Sequence, residues 1–377
     1  MRVLVPTGNF QYDVANWFAH DLAQAIGAER GHEAALLNLS NSASFKQSIE
    51  SFKPDLILSI QGVGIDQSVV SAFPDVAWMV MGIDHPSHIL GRIDKAAANK
   101  ILITAIEESH LECWKILAPE KPAVFLAHPA PVAPPSARKP EFGLCFLGTW
   151  NSPEKMVQGW LGNFPEALID HLSQALDTAL KTRCAIASDV LDFNAPIWQG
   201  SRARFGIGLT QIDLLTRLIL RSRLLKELDD AGIGIDIFGT GWDTSEWRHH
   251  RIHPAVTYTE ALGIGARSLG VLSITPTYPA GSHERPLSCW AQGSVCVSTP
   301  SKFFHQSGFV PGLNYLEYDP WTSGSLSKAV MALPDFHASA TRREALPESR
   351  ARIHREHSPS ARARQILRLA KTHFDLD

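Results

Sequence analysis

The chain of 377 residues has little cysteine, little charge and no long apolar run. Its five cysteines, Cys113, Cys145, Cys184, Cys289 and Cys296, never form Cys-x-x-Cys and are odd in number. That excludes a disulfide framework and a zinc knuckle, and suits free thiols in a reducing compartment. Charged residues make up 19%, and the net charge of -3 excludes a global basic field of the kind that gathers nucleic acid. No apolar run approaches the roughly 18 residues that span a bilayer. The opening Met1-Arg2-Val3-Leu4-Val5 enters a strand-like run without a signal-peptide pattern. A soluble, cytoplasmic protein with no transmembrane segment and no nucleic-acid partner is expected. A Walker loop, a full Gly-x-Gly-x-x-Gly and a His-Glu-x-x-His are also missing, which argues against a nicotinamide oxidoreductase and a zinc hydrolase.

The apolar content of 45% is ordinary, and at about 150 residues per domain the length suggests two cores. Short aliphatic runs at Val3–Pro6, Ala35–Leu39, Leu56–Ile60, Ala77–Met81, Ile101–Thr104 and Val124–Ala127 lack polar alternation, as strands of a parallel sheet covered on both faces do. A helical stretch, Ala15 to Ala28, separates the first two. The run His128-Pro129-Ala130-Pro131-Val132-Ala133-Pro134-Pro135, closed by Pro140, reads as a semi-rigid linker. A second strand series follows at Leu144–Leu147, Ile235–Phe238, Val271–Ile274 and Val295–Ser298, with several helices expected between Glu154 and Asp230. Ser358-Pro359 starts a last helix, with serine as cap and proline in the first turn. The fold class is therefore α/β, with two Rossmann-like, doubly wound domains. The expected boundaries are 1–128, a linker at 129–140, 141–357 with a helical region at 154–230, and a terminal helix at 358–377. Ligands of such sheets bind beyond the carboxyl ends of the strands, so the domains are expected to face across a binding cleft.

Three glycine turns leave predicted strands: Gly8-Asn9-Phe10, Gly148-Thr149-Trp150 and Gly239-Thr240-Gly241-Trp242. Glycine there allows close backbone approach to a ligand, although an ordinary strand exit is the favoured reading of each turn taken alone. The stretch Thr275 to Gly293 is more telling, because it holds His283, Glu284 and Arg285 just before a short helix that ends at Gly293. A cation at a helix start opposes the dipole, whereas together with backbone N–H groups Arg285 would complete an anion pocket; otherwise it is a surface pair with Glu284. Asp84-His85-Pro86 follows a central strand, and Asp84, His85 and His88 are candidate bases beside Asp13 of the first loop. An Asx-type turn before proline is the competing reading. His249-His250-Arg251-Ile252-His253 has no acidic neighbour in sequence and reads as a solvated loop rather than a metal site. Trp150, Trp160, Trp198 and Trp242 could stack on a sugar or base, with Trp242 favoured by its place in the glycine turn.

Phe238-Gly239-Thr240-Gly241-Trp242, then Tyr258 and Glu260, then Gly281 to Gly293, resemble the second domain of CgeB-type glycosyltransferases of the two-domain GT-B group. Phe146-Leu147-Gly148-Thr149 resembles the start of that domain, Glu356-His357-Ser358 its end, and Asp84-His85-Pro86 an Asp-x-Pro of the first domain. The resemblance implies transfer of a sugar from a nucleoside-diphosphate sugar to a protein, glycan or other acceptor, with no essential metal. It implies that the last helix packs back on the first domain. It places Arg285 and the turns at Gly148 and Gly239 at the leaving diphosphate, with His283 and Glu284 alongside. Glu260 and Tyr258 would lie near the base or ribose, although Thr257-x-x-Glu260 is equally a capping box. Gly8, Asn9 and Asp13 would serve the acceptor side, with Asp84 and His85 as catalytic groups. Many retaining families of the group have a glutamate five residues before the helix-ending glycine, and another eight residues earlier. Here those positions hold Ser288 and Ala280. Serine can still accept a ribose hydroxyl bond, but the change leaves a degenerate, non-catalytic nucleotide-sugar binder as the alternative.

Overall fold

The computed structural model describes residues 1–39, 42–94, 100–131 and 139–376. It divides into two compact units, Met1–Pro131 with His354–Asp377, and Val132–Ile353. In the first unit β1 (Arg2–Thr7), β2 (Glu33–Asn38), β3 (Leu56–Ile60), β4 (Ala77–Gly82), β5 (Ile101–Ala105) and β6 (Ala123–Phe125) pair in parallel in the order β2-β1-β3-β4-β5-β6. Helices α1 (Val14–Ala28), α2 (Ser42–Phe52), α3 (Gln67–Ala72), α4 (Leu90–Ile93) and α5 (Glu108–Leu117) connect them. Every residue of β3, β4 and β5 is buried, which is why these segments carry unbroken aliphatic runs. Phe18, Phe45, Trp78 and Trp114 fill the surrounding layers. The strand expected at 124–127 forms at Ala123–Phe125, displaced toward the N-terminus. The chain crosses from one side of β1 to the other between β2 and β3, so the carboxyl ends of β1 and β3 form the switch point of this sheet.

The second unit runs β7 (Phe142–Leu147), α6 (Pro153–Asn163), α7 (Glu166–Thr182), α8 (Ala187–Val190), α9 (Arg202–Asp230), β8 (Asp236–Phe238), β9 (Arg251–His253), α10 (Tyr258–Ala266) and β10 (Ser268–Ser273). It continues with α11 (Glu284–Gln292), β11 (Cys296–Ser298), α12 (Lys302–Gln306), β12 (Leu316–Glu317), α13 (Ser325–Met331), α14 (Leu333–Ala338) and, as far as Ile353, α15 (Ala340–Glu356). Its strands are parallel in the order β12-β11-β10-β7-β8-β9. The switch point here lies between β7 and β10. The helical stretch expected between Glu154 and Asp230 is α6 to α9, with Trp160 and Trp198 buried in it.

The reading of His249 to His253 as a solvated loop is corrected. Arg251–His253 is a strand whose Arg251 lies in register with Asp236 of β8. Asp236 is buried and accepts from Arg251 Nε at 2.8 Å and Nη2 at 2.5 Å, and pairs with His253 Nε2 at 2.8 Å. Burial lowers the pKa of His250, and its Nε2 donates to the carbonyl Leu225 O at 2.9 Å. The acidic partner missing from the local sequence comes from the neighbouring strand.

Helix α16 (Pro359–Phe374) starts as its Ser-Pro signal predicts, with Ser358 Oγ accepting from Ala361 N at 3.2 Å. It belongs to the first unit and packs on α1, burying Ala361, Ala363, Ile366, Leu367 and Ala370. Arg364 pairs with Glu29 at 3.1 Å, and the buried Arg362 donates to His128 O and to His357 Nδ1, each at 3.1 Å. Two of its arginines are thus already held within the unit. Of the proline-rich stretch 129–140, residues 132–138 lie outside the described residues. No described helix is long and apolar enough to cross a membrane.

Candidate functional site

The carboxyl end of β7 concentrates positive charge. Phe146, fully buried near the end of that strand, has the guanidinium of Arg285 5.7 Å and that of Arg221 5.3 Å from its ring centroid. Arg285 stands in the first turn of α11, so backbone N–H groups and a cation converge there. Arg221 reaches from α9 and donates to Thr149 O at 2.7 Å. Its Nε is buried without a hydrogen-bond partner, and no carboxylate pairs with it among the described residues. Burial, then the nearby charges of Arg285 and Arg217, push its pKa down to about 9. Arg217 is balanced by Asp213 at 2.7 Å, and among the described residues Arg285 pairs with Glu284 alone, at 3.9 Å. Glu284 also pairs with His283 Nδ1. The cluster carries an excess of positive charge that an anion would relieve. At the exit of β10, the other strand of the switch point, Ser273 Oγ and Thr277 Oγ1 are buried without partners among the described residues.

The glycine turns are built differently from the expectation of a ligand cradle. Gly148 N donates to Phe238 O at 2.9 Å, Trp150 N to Thr240 O at 2.8 Å, and Trp242 Nε1 to Gly148 O at 2.8 Å. A Cβ on Gly239 would lie 2.1 Å from Gly148 O, and one on Gly241 2.1 Å from Trp150 O. These glycines let the two strand exits, Gly148–Trp150 and Gly239–Trp242, lie against each other. Trp242 is buried in the core with Trp150 stacked on it at 5.2 Å, which corrects the expectation that it stacks on a sugar or base.

Glu260 completes a capping box, its carboxylate accepting from Thr257 N and Oγ1 at 2.8 Å each. Those bonds hold its pKa below the ordinary carboxylate value. Tyr258 begins the same helix and is buried. Ser288 Oγ donates back along its helix to Glu284 O at 2.8 Å and is buried.

In the first unit Gly8 is clamped by Asn16, which accepts from Gly8 N at 2.9 Å and donates to Gly8 O at 2.7 Å and to Asp13 Oδ1 at 2.6 Å. Asn9 is exposed. Asp84, exposed after β4, accepts from Gln61 Nε2 at 2.5 Å, in place of the Asx turn considered from sequence. His85 is buried and caps the short turn Pro86–His88, its Nδ1 accepting from Ser87 N at 3.3 Å. Sequence reasoning missed Arg221, Gln61 and Asn16. The one signal for Arg221 is its spacing of four from Arg217 on an otherwise leucine-rich helix. Among the described residues no group of three or more His, Cys, Asp or Glu side chains could hold a metal ion.

Residues 220–368 match a family model described as glycosyl transferase-like. No curated protein matches the sequence. Among solved structures, sucrose-phosphate synthase from Thermosynechococcus elongatus aligns with TM-score 0.56 at 10% identity over 99% of both chains. A glycosyltransferase from Rickettsia africae aligns with TM-score 0.53 at 9% identity, over 100% of this chain and 99% of the other. Anabaena Alr3699/HepE in complex with UDP-glucose gives 0.51 at 9% identity, over 99% of this chain and 100% of the other. The chain thus has the fold of GT-B glycosyltransferases, two α/β units each built on a six-stranded parallel sheet, with a glycosyl transferase-like segment at 220–368.

Proposed function

We propose that the protein is a glycosyltransferase that moves a sugar from a nucleoside-diphosphate sugar to a hydroxyl of a protein, glycan or other acceptor. The observation that carries this reading is the pair Arg221 and Arg285 against Phe146 at the switch point of the second sheet. As the anomeric C–O bond breaks, the leaving diphosphate gains charge, and two guanidiniums with the first turn of α11 would stabilise it without a metal. The fold shared with a protein solved with UDP-glucose supports a nucleotide sugar as donor. The likeness to CgeB-type enzymes supports the same chemistry, and Asp84 is the proposed base for the acceptor hydroxyl.

A second reading, a binder without transfer activity, is favoured by Ser288, whose hydroxyl is bonded within its own helix at the position where many retaining GT-B families carry a carboxylate. Thermal unfolding with UDP-, GDP-, dTDP- and ADP-sugars, without added metal, tests both. A donor at 100 times its Kd should add roughly 2.7 kcal/mol of stability. Arg221→Ala or Arg285→Ala should each weaken binding about tenfold or more, as expected for loss of a charge-assisted bond. Stabilisation without release of free nucleotide in the presence of broad acceptor mixtures would support the binder. Absence of any shift would remove the donor site.

A further inference from the structure

Three of the non-glycine residues with left-handed backbone in the first unit, Tyr12 (φ 58°), Asp13 (φ 62°) and Gln61 (φ 54°), lie in the loops that leave β1 and β3. Those loops form the switch point of the first sheet. A left-handed backbone is disfavoured for glutamine and persists only where its surroundings impose it. For Gln61 the surroundings are visible on every side. Its backbone N donates to Met81 O at 2.9 Å and its carbonyl accepts from Arg92 Nη1 at 2.5 Å. Its buried side chain accepts from Ile83 N through Oε1 at 2.9 Å, which fixes the amide so that Nε2 is the group facing Asp84 Oδ2. That amide is the only hydrogen-bond donor to the Asp84 carboxylate among the described residues, and the other oxygen is unbonded. A helix cap or a surface ion pair would explain neither the buried glutamine nor the single, directed donor.

From this geometry we propose that Gln61 is a positioning residue: it holds one oxygen of Asp84 so that the other receives the proton of the acceptor hydroxyl. This rests on the glycosyltransferase reading. In the step, the acceptor oxygen bonds to the anomeric carbon and its proton passes to Asp84. The bond from that carbon to the diphosphate oxygen breaks, and its electron pair leaves with the nucleoside diphosphate. The other charged or titratable groups at this corner are engaged: Arg92 on the Gln61 carbonyl, His85 on Ser87 and edge-on to His110, and His88 beside His85.

The test uses the full chain and three variants. Gln61→Glu keeps the shape and an acceptor for Ile83 N–H but removes the donor to Asp84; Gln61→Leu removes both; Asp84→Asn removes the base. Whichever donor stabilises the wild type is assayed for transfer to a mixed glycan and peptide acceptor pool, and for hydrolysis, where water is the acceptor. Donor stabilisation should be the same in all four proteins. The rate should fall about a hundredfold or more in Asp84→Asn and about tenfold in Gln61→Glu. The acid limb of the pH–rate profile should move to higher pH in Gln61→Glu, because a second carboxylate then faces Asp84 where the wild type presents an amide N–H. The same move should appear in an NMR titration of the Asp84 carboxyl carbon, which needs no turnover. An unmoved titration in Gln61→Glu, or an undiminished rate in Asp84→Asn, overturns the proposal. Failure of every donor to bind wild type overturns the glycosyltransferase reading, and with it this role. Donor binding retained with the titration unmoved sinks this role alone.

Discussion

Asp236 lies buried in β8, and burial by itself would push its carboxyl pKa up. Hydrogen bonds and charge from Arg251 and His253 outweigh that and hold it below its ordinary value of 3.8. A carboxyl whose folded pKa is depressed stabilises the fold at any pH above its unfolded value, and loses that contribution as pH falls through the folded value. Asp236→Asn should therefore cost about 2 kcal/mol at neutral pH. The gap to wild type in urea unfolding should close as the buffer is taken well below pH 3.8; a gap that persists unchanged in acid would show that packing rather than charge holds the strand pair. Arg221 illustrates the opposite balance. Its depressed pKa reports a charge that burial and two neighbouring arginines disfavour, an arrangement that makes sense if an anion is to enter.

At the scale of elements, the strand exits after β7 and β8 form one unit of structure. Gly241 has φ 84°, a conformation for which glycine is suited, and both Gly239 and Gly241 lack room for a Cβ. Gly239→Ala must push Gly148 O away and should destabilise by about 2 kcal/mol or more, and it should also shift Thr149, whose carbonyl holds Arg221. Gly159→Ala, in exposed helix α6 with nothing within 4 Å of the new methyl, should instead stabilise by about 0.5–1 kcal/mol. Thermal midpoints of the two variants moving in the same direction would refute this account of the glycines. The capping box of α10 likewise gives Glu260 a structural task that needs no nucleotide.

At the scale of the whole molecule, the first unit is built from both ends of the chain. Arg362 anchors the returning helix on His128 O and His357, whose ring burial and the Arg362 charge hold neutral, with its pKa pushed down to about 3. Removing residues 358–377 would take away the buried side chains of α16, Ile366 and Leu367 among them, and uncover α1, on which that helix packs. At about 1.5–3 kcal/mol per large side chain, that loss is a sizeable part of the roughly 5–15 kcal/mol by which a domain is stable. The truncated chain should lose the cooperative unfolding transition of the first unit; a full-length melting profile after truncation would show that α16 is dispensable.

Much of this could be read from the sequence alone. The aliphatic runs specified buried parallel strands, Ser358-Pro359 specified a helix start, and the stretch around Arg285 specified a cation at the first turn of α11, because each depends on residues close together in the chain. The short edge strands β9 and β12 were not legible, since two or three residues carry no periodicity. Tertiary structure alone decided which distant groups meet: Arg221 with Arg285 at Phe146, Gln61 with Asp84, Asp236 with Arg251, and Gly239 with Gly148. Strand order sets these meetings, and it is chosen by the burial of whole faces, so no local pattern around any one of these residues reports its partner.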